Sequence, residues 1–400
     1  MAAKRTNATT KAKAAPPQAG RRRAYRRIVA KFGTNVLTAG ADQLDPEVMA
    51  DLVGQVASLR RQGAEVIVVT SGAITAGRHR LNLTNEKASS RSSARRGIPF
   101  RQVLASVGQS HLMQQYDQLF ASHDLIVAQT LLTRRDLADR IGYLNARNTL
   151  LALLELGAVP VVNENDAVAV EEIEDATIGD NDNLSALVAN LVDADLLAIL
   201  TDTGGLYTAD PRRDPDAQLI PRVERITPEI ERLAGDSETP HGVGGMITKL
   251  QAAKLACGGG ADVAIANGHE PHVLERLVRG EALGTFFPAA TDRLESRKRW
   301  MLAGLAARGK IVVDAGAAKA LLSQGRSLLP AGVCDVAGPF ERGDTVSICA
   351  DDGRRFAIGI TNYGNEDVAA IRGVRSDRIA RVLGHEYGAE VVHRNNLVLL

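Results

Sequence analysis

A chain of 400 residues, 45% hydrophobic and 24% charged, has the composition of a soluble globular protein with two or three domains. It lacks any 18-residue apolar run, which excludes a membrane-spanning helix, and its three cysteines lack metal-ligand spacing and favour a reduced, cytoplasmic location. The formal net charge of +1 is unevenly distributed. Residues 1–27 contain nine Lys or Arg and no acidic residue, so the rest of the chain has a net charge of about −8.

The basic first segment is predicted to be a disordered tail over residues 1–25, because it has almost no apolar residues. We expect a solvated extension. Contact with nucleic acid and a role in targeting are the alternatives that its charge leaves open.

From residue 26 onward, apolar strands alternate with helical segments. Apolar residues recur at helical spacing in Val48–Leu59 and Leu184–Val192, and a further helix is expected from about Gly245 to Cys257. Uniformly apolar strands alternating with helices predict an α/β fold, a mainly parallel open sheet sandwiched by helices. The predicted strands are RRIVAKF (26–32), EVIVVT (65–70), LIVAQT (125–130), AVPVVNEND (158–166), DLLAILTD (195–202) and ADVAIAN (261–267).

Polar and small residues follow these strands at their carboxyl ends, where ligands bind in such sheets. Lys31 interrupts an apolar strand end, and Gly33, two residues later, lets the backbone approach a phosphate group closely. A lysine that merely reaches solvent is the alternative. The other segments at strand ends are Ser71 to Ala73, Asn163 to Asp166, and Thr201 with Asp202, which opens a Gly/Pro/Asp loop to Pro215.

Two helix starts are predicted to bind anions through their backbone N–H groups. The strand before Ser71 runs directly into a turn of small residues that opens a helix. The segment GVGGMITKLQAAK (242–254) places three glycines before a helix, with Lys249 in the first turns. A plain tight turn and a solvated lysine are the simpler interpretations.

A run of four polar residues, Asp180 to Asn183, stands immediately before an apolar helix stripe. Helix capping explains one such residue, not four. Two carboxylates and two amides beside a positive helix terminus can also hold charged groups in place, which is the functional interpretation.

The alternation of apolar strands and helices ends near residue 280, where a connecting segment is expected to begin. Short β-like runs with glycine turns then predict a small β-rich domain over residues 309–400. The connector contains G-x-x-x-x-G-K at 304–310, but Ile311 follows where a phosphate-binding loop needs Ser or Thr. We therefore expect a strand at this position and no phosphate-binding loop.

In order and context, these motifs resemble the amino acid kinase family and, within it, the glutamate 5-kinases. The C-terminal region resembles the PUA domain. The resemblance covers about residues 26–400 and implies domains at 26–295 and 309–400 with a linker at 296–308. Its motifs are AKFGTNVL (30–37), VVTSGAITAGR (68–78), VGQSHLM (107–113), LLTRRD (131–136), YLNARNTL (143–150), PVVNENDAVA (160–169), GDNDNLSALVA (179–189), ILTDTGGLYTADPR (199–212), GVGGMITKLQAA (242–253) and ESRKRW (295–300).

The resemblance implies a reaction in which ATP, with Mg²⁺, phosphorylates the side-chain carboxylate of L-glutamate in the first step of proline biosynthesis. It further implies a homo-oligomer and feedback inhibition by proline. Lys31 and Lys249 match the two lysines that contact the phosphates, and Asp182 matches the carboxylate that orients them. The residues that match substrate positions are Ser71, Asp166 and Asn181, those that match ATP positions are Lys31, Gly33, Thr201, Asp202, Gly244, Gly245 and Lys249, and none is matched to a metal.

The chemistry of such a reaction is consistent with these residue types. A glutamate side chain has a pKa of about 4.3 and is already ionised at neutral pH, so no general base is needed. Two anions must instead be brought together, which calls for lysines and backbone N–H groups. A short acidic residue such as Asp166 suits the ammonium group of the substrate.

The sequence departs from the family pattern in two places. About three extra residues lie between Asp166 and Gly179, beside the expected glutamate site, and residues 84–101 are divergent. Two alternatives stay open. One is a kinase for acetylglutamate, aspartate or a nucleoside monophosphate. The other is an RNA-binding protein led by the PUA-like region, although residues 308–400 hold 12 basic and 11 acidic side chains and show no basic footprint.

Overall fold

The computed structural model describes residues 25–83, 97–168, 181–235, 245–290 and 307–400. Most of the predicted tail, residues 84–96 of the divergent stretch, the insertion at residues 170–178 and most of the predicted linker lie outside these ranges. No helix within the described ranges is both long and apolar enough to cross a membrane.

The first sheet has seven strands and confirms the predicted α/β architecture. Their order is β3-β4-β2-β1-β5-β6-β7, and all neighbours are parallel except β6 and β7. The strands are β1 (Arg27–Phe32), β2 (Glu65–Val69), β3 (Val127–Leu132), β4 (Val159–Glu164), β5 (Leu196–Thr201), β6 (Asp262–Asn267) and β7 (Thr285–Phe287).

Helices cover both faces of this sheet, which is why its central strands are apolar throughout. Successive residues of a strand point to opposite faces, so Val29 belongs to one core and its neighbours Ile28 and Ala30 to the other. The helices are α1 (Thr34–Leu37), α2 (Pro46–Arg61), α3 (Ala73–Arg80), α4 (Ile98–Ala121), α5 (Arg134–Ala138), α6 (Arg140–Glu155), α7 (Asn181–Leu191), α8 (Pro228–Gly235), α9 (Met246–Gly259) and α10 (Val273–Val278).

The seventh strand corrects the sequence-based prediction of a connector from residue 280. Thr285–Phe287 pairs antiparallel with β6 and closes one edge of the sheet. A strand of three residues is too short to give an alternating or apolar-run pattern, so the sequence carries no signal for it.

The second sheet has five strands in the order β12-β11-β10-β8-β9 and confirms the predicted β-rich C-terminal domain. Gly309–Val313 is a strand, as predicted for the end of the G-x-x-x-x-G-K motif, which we did not expect to form a phosphate-binding loop. The strands are β8 (Gly309–Val313), β9 (Val333–Ala337), β10 (Thr345–Ala350), β11 (Arg355–Ile360) and β12 (Leu397–Leu399), and the α-helices are α11 (Ala315–Gln324), α12 (Asn365–Ile371) and α13 (Ile379–Leu383). Short 3-10 helices span Pro330–Gly332, Ser376–Arg378 and Arg394–Asn396.

Helix α6 of the first domain packs against the C-terminal domain. Leu144 on this helix is fully buried in an apolar cluster with Ile358, Ile360 and Val398 of the C-terminal domain. Beside the cluster, an Arg342 Nη atom donates to Asn145 Oδ1 at 2.5 Å. The C-terminal domain is therefore packed directly on a helix of the first domain.

Candidate active site

The predicted site residues lie along one edge of the seven-stranded sheet because the strands that carry them are parallel neighbours. In the order β4-β2-β1-β5, the carboxyl ends bear Asn163, Ser71, Lys31 and Thr201. Helices α7 and α9, which begin near this edge, bring Asp182 and Lys249 to the same place. Distant parts of the chain thus converge on one site.

Asp182 is the centre of a buried ion-pair cluster. Its Oδ1 lies 2.6 Å from Lys31 Nζ, and its Oδ2 lies 3.1 Å from Lys249 Nζ. The carboxylate is fully buried, and both lysines expose less than a tenth of their side-chain surface. Burying three charges is costly, and such a cluster is weak evidence for a stabilising role. With two formal positive charges against one negative charge, it is suited to attracting an anion.

Thr248 contributes to the same cluster but was not singled out from the sequence. Its hydroxyl lies 3.1 Å from Asp182 Oδ2 and 2.8 Å from the carbonyl oxygen of Gly245. Thr248 therefore joins the start of α9 to the Asp182 carboxylate. Lys249 is positioned both by its own ion pair with Asp182 and by this hydrogen bond of the neighbouring residue. Its position directly before Lys249 in the sequence was the available signal.

Asn181, next to Asp182, connects the ends of β2 and β4. Its Nδ2 lies 2.8 Å from the carbonyl oxygen of Thr70, 3.0 Å from Ser71 Oγ and 3.0 Å from Asn163 Oδ1. Asn163 in turn donates through Nδ2 to Gln109 Oε1 at 2.7 Å. The polar pair predicted from the sequence, Ser71 and Asn181, is therefore in direct contact.

A fully buried tyrosine supports the end of β2. Tyr116 on α4 is hydrogen-bonded through its hydroxyl to Thr70 Oγ1 at 2.8 Å. Burial raises the pKa of Tyr116, so the phenol stays neutral at physiological pH. The contact fixes the residue whose carbonyl accepts from Asn181.

Asp166 lies beside this network in a half-open pocket of about 280 Å³. Gln109 also lines the pocket, and its hydrogen bond with Asn163 joins the pocket to Asn181. Glu164 and Gln129 are further polar residues on the wall. Asp166 is thus linked to Ser71 and Asn181 through the shared neighbours Gln109 and Asn163.

The predicted nucleotide turn follows β5. Asp202 accepts from Asn35 Nδ2 at 2.9 Å and from Thr201 Oγ1 at 3.1 Å. Burial acts to raise the pKa of Asp202, but these hydrogen bonds and the charge of Arg212 outweigh it and hold the pKa below its ordinary value. Gly33 is bonded to the same strand through its N–H, which donates to the Leu200 carbonyl at 3.2 Å.

Two helix starts open toward this edge of the sheet without a side-chain cap from any described residue. Gly72 precedes α3 with φ of +97°, a left-handed conformation that glycine adopts without strain. Gly245 precedes α9 in an extended conformation. Uncapped helix N-termini of this kind are suited to binding anions through backbone N–H groups. Gly244, also predicted to bind ATP, lies outside the described residues.

Within the described ranges, no group of three or more His, Cys, Asp or Glu side chains could hold a metal ion. Both carboxylate oxygens of Asp182 are engaged by lysines.

Comparison with known proteins identifies a family for each of the two domains. A family model described as the amino acid kinase family matches residues 26–267, and a PUA domain model matches residues 309–383. A glutamate 5-kinase of Dehalococcoides mccartyi (strain ATCC BAA-2266 / KCTC 15142 / 195) is 54% identical over 94% of this chain and 99% of its own. That of Herpetosiphon aurantiacus is 52% identical over 94% of this chain and 98% of its own.

A glutamate 5-kinase of Shewanella oneidensis is 51% identical over 94% of this chain and 98% of its own. Among solved structures, UMP kinase from Bacillus anthracis matches with a TM-score of 0.44 and 15% identity, over 67% of this chain and 98% of that chain.

Proposed function

Because this chain belongs to the amino acid kinase family, we propose that it transfers the γ-phosphoryl group of ATP to the side-chain carboxylate of L-glutamate. The product is L-glutamyl 5-phosphate, and the reaction is the first step of proline biosynthesis. The relatives that are 51–54% identical over 94% of the chain are named for this activity. The buried cluster of Lys31, Asp182 and Lys249 is the single observation in the structure that carries the proposal.

In the proposed reaction, an oxygen of the glutamate γ-carboxylate attacks the γ-phosphorus of ATP. A new O–P bond forms, the bond from the γ-phosphorus to the bridging oxygen breaks, and ADP leaves. The nucleophile is already ionised, since its pKa is about 4.3 in solution. No proton has to be removed, so the site must supply alignment and positive charge.

We assign Lys31 and Lys249 to the transferred phosphoryl group and Asp182 to holding both ammonium groups in register. The distances of 2.6 and 3.1 Å to the two oxygens of one carboxylate support this assignment. A lysine tethered in this way loses little freedom when the phosphate arrives, which is the advantage of a preorganised site. Mg²⁺ enters as part of the MgATP substrate, consistent with a cation that binds mainly through phosphates.

We assign ATP binding also to Gly33, Thr201, Asp202, Gly244 and Gly245. The open helix start at Gly245 supports a phosphate site, and the turn held by Asp202 lies at the end of the neighbouring strand. Glutamate is assigned to Ser71, Asn181 and Asp166. The contact of Asn181 with Ser71 and the pocket at Asp166 support this side of the site.

An ADP-release assay with a panel of acceptors tests the proposal. L-Glutamate should be the best acceptor when compared with N-acetylglutamate, aspartate and a nucleoside monophosphate. A higher kcat/KM for any of the others would replace the proposed substrate while leaving the kinase family intact. Adding L-proline to the same assay tests the proposed feedback inhibition.

The remaining sequence-based predictions stay predictions. They are the domain limits at 26–295 and 309–400, the homo-oligomer, the cytoplasmic location and the accessory binding of RNA by the C-terminal domain. Salt-dependent binding of structured RNA that is lost on removal of residues 309–400 would support the last of these. Sedimentation velocity of the full chain measures the oligomeric state.

A further inference from the structure

A chain of three side-chain amides runs from the end of β2 to the pocket at Asp166. Asn181 donates to Asn163 at 3.0 Å, and Asn163 donates to Gln109 at 2.7 Å. The chain begins at the carbonyl oxygen of Thr70, which accepts from Asn181 at 2.8 Å. It leads from the residue beside Asp182 to the wall of the pocket.

The backbone carbonyl fixes the orientation of every amide in this chain. A carbonyl oxygen only accepts, so the Asn181 atom facing Thr70 must be its nitrogen. The Asn163 atom facing that nitrogen must then be oxygen, which turns the other end of Asn163 into a donor. Gln109 has to meet this donor with its oxygen, so its Nε2 is left pointing onward as a donor.

That last nitrogen has no partner within the described structure. Gln109 Nε2 is buried and forms no hydrogen bond with any described residue, and the same holds for Asn181 Oδ1. A buried amide donor left unsatisfied is costly, which indicates that a ligand completes it. Gln109 lines the 280 Å³ pocket together with Asp166.

Backbone packing holds Gln109 in place. At the preceding residue, Gly108, a Cβ atom would stand 1.7 Å from the carbonyl oxygen of Ala73. Helix α4 therefore touches the backbone of α3 here, in the first turn after Gly72. The donor belongs to a rigid pair of helices, one of which begins at the proposed substrate site.

We propose that Gln109 Nε2 donates to the α-carboxylate of bound L-glutamate and makes Gln109 a specificity-determining residue. The inference rests on the proposed function and names a contact within that site. The γ-carboxylate has to reach the lysines around Asp182, at the other end of the amide chain. The α-amino acid end then lies at the pocket, where Asp166 suits the ammonium group and Gln109 supplies a donor for the α-carboxylate.

The test compares two substrates in full-length protein. L-Glutamate and its α-amide, L-isoglutamine, share the γ-carboxylate and differ in the group that Gln109 is proposed to contact. Gln109→Glu keeps an acceptor for Asn163 but loses the donor. We expect its KM for L-glutamate to rise roughly 10- to 100-fold, and the wild-type preference for L-glutamate over isoglutamine to shrink by a similar factor. The KM for ATP should stay within about twofold.

Two further variants separate the contact from other effects. Gln109→Met removes the donor without adding charge and should also reduce the preference between the two substrates. Gln118→Glu makes the same change at an exposed position of the same helix and should leave every constant unchanged. If Gln109 only supports the fold, both substrates weaken equally and the preference survives in Gln109→Glu and Gln109→Met, which overturns the inference. Failure of the wild-type chain to phosphorylate L-glutamate would instead remove the proposed function itself.

Discussion

Lys249 and Lys254 are on the same helix in opposite environments. Lys249 is buried against Asp182, whereas Lys254 is exposed and pairs with Glu231 at 2.8 Å. We expect Lys249→Met to lower kcat by about 100- to 1000-fold, since a preorganised charge is lost from the proposed phosphate site. Lys254→Met should leave kcat unchanged because a surface ion pair contributes little. Steady-state kinetics with saturating ATP and glutamate measure both, and equal losses would contradict the assignment.

Asp166 is expected to act on substrate binding alone. Asp166→Ala removes a carboxylate from the pocket wall and should raise the KM for glutamate by roughly tenfold or more, because a charged hydrogen-bond partner is lost. The kcat and the KM for ATP should change little. A fall in kcat at unchanged KM would show that Asp166 acts in the chemical step instead.

Asp202 should make the stability of the protein depend on acid pH. Its folded-state pKa lies below the ordinary value of 3.8 because its hydrogen bonds outweigh burial. A lowered carboxylate pKa stabilises the folded state above the ordinary value and loses that effect as the pH falls through the folded value. Asp202→Asn should therefore lower Tm at pH 6–7, and the difference from wild type should shrink below about pH 4. A difference that is constant from pH 3 to 7 would contradict the cause given.

Single site residues could be predicted from the sequence where they interrupt the regular pattern of a strand or a helix. Lys31 stands at the end of an apolar strand, and Asp182 belongs to a polar run larger than helix capping needs, so both are recognisable from the sequence. Gln109 and Asn35 do not break a pattern, because polar residues on helices are usually solvated. Their contacts, with Asn163 and Asp202, depend on how the sheet brings distant segments together, and a single sequence does not show such pairings.

At the scale of elements, the contact between α3 and α4 is set by glycine. A Cβ at Gly108 would stand 1.7 Å from Ala73 O, whereas a Cβ at Gly54, inside α2, would meet nothing closer than His123 Nε2 at 3.9 Å. Gly108→Ala should destabilise the protein by about 3 kcal/mol or more, since two backbones must separate. Gly54→Ala should be neutral or stabilise it by up to about 1 kcal/mol. Urea unfolding measures both, and similar effects would contradict this packing.

The elements themselves were largely predictable, and the exceptions have a common reason. Six strands of the first sheet follow from apolar runs because both faces of that sheet are covered. β7 has only three residues, which pair with Val263 to Ile265 of β6, and so short a run carries no recognisable pattern of its own. The turn at Asp202 is predicted as a loop, but its hydrogen bond with Asn35 joins segments far apart in sequence and leaves no pattern in either of them.

At the scale of the whole molecule, Leu144 tests the contact between the two sheets. It is fully buried against Ile358, Ile360 and Val398, whereas Leu156, just past the end of the same helix, is 82% exposed. Leu144→Ala should cost about 2–5 kcal/mol and speed proteolysis within the C-terminal domain. Leu156→Ala should change neither. Unchanged proteolysis and Tm in Leu144→Ala would mean that the two domains do not rely on this contact.

The position of β1 in the sheet has a consequence for synthesis on the ribosome. β1 pairs with β2 on one side, but its other neighbour, β5, is translated roughly 160 residues later. At about 5–20 residues per second, one edge of a largely apolar strand stays uncovered for on the order of ten seconds. Unpaired edges are where foreign strands add. Nascent chains that stall before β5 emerges should therefore be the species that aggregates most readily.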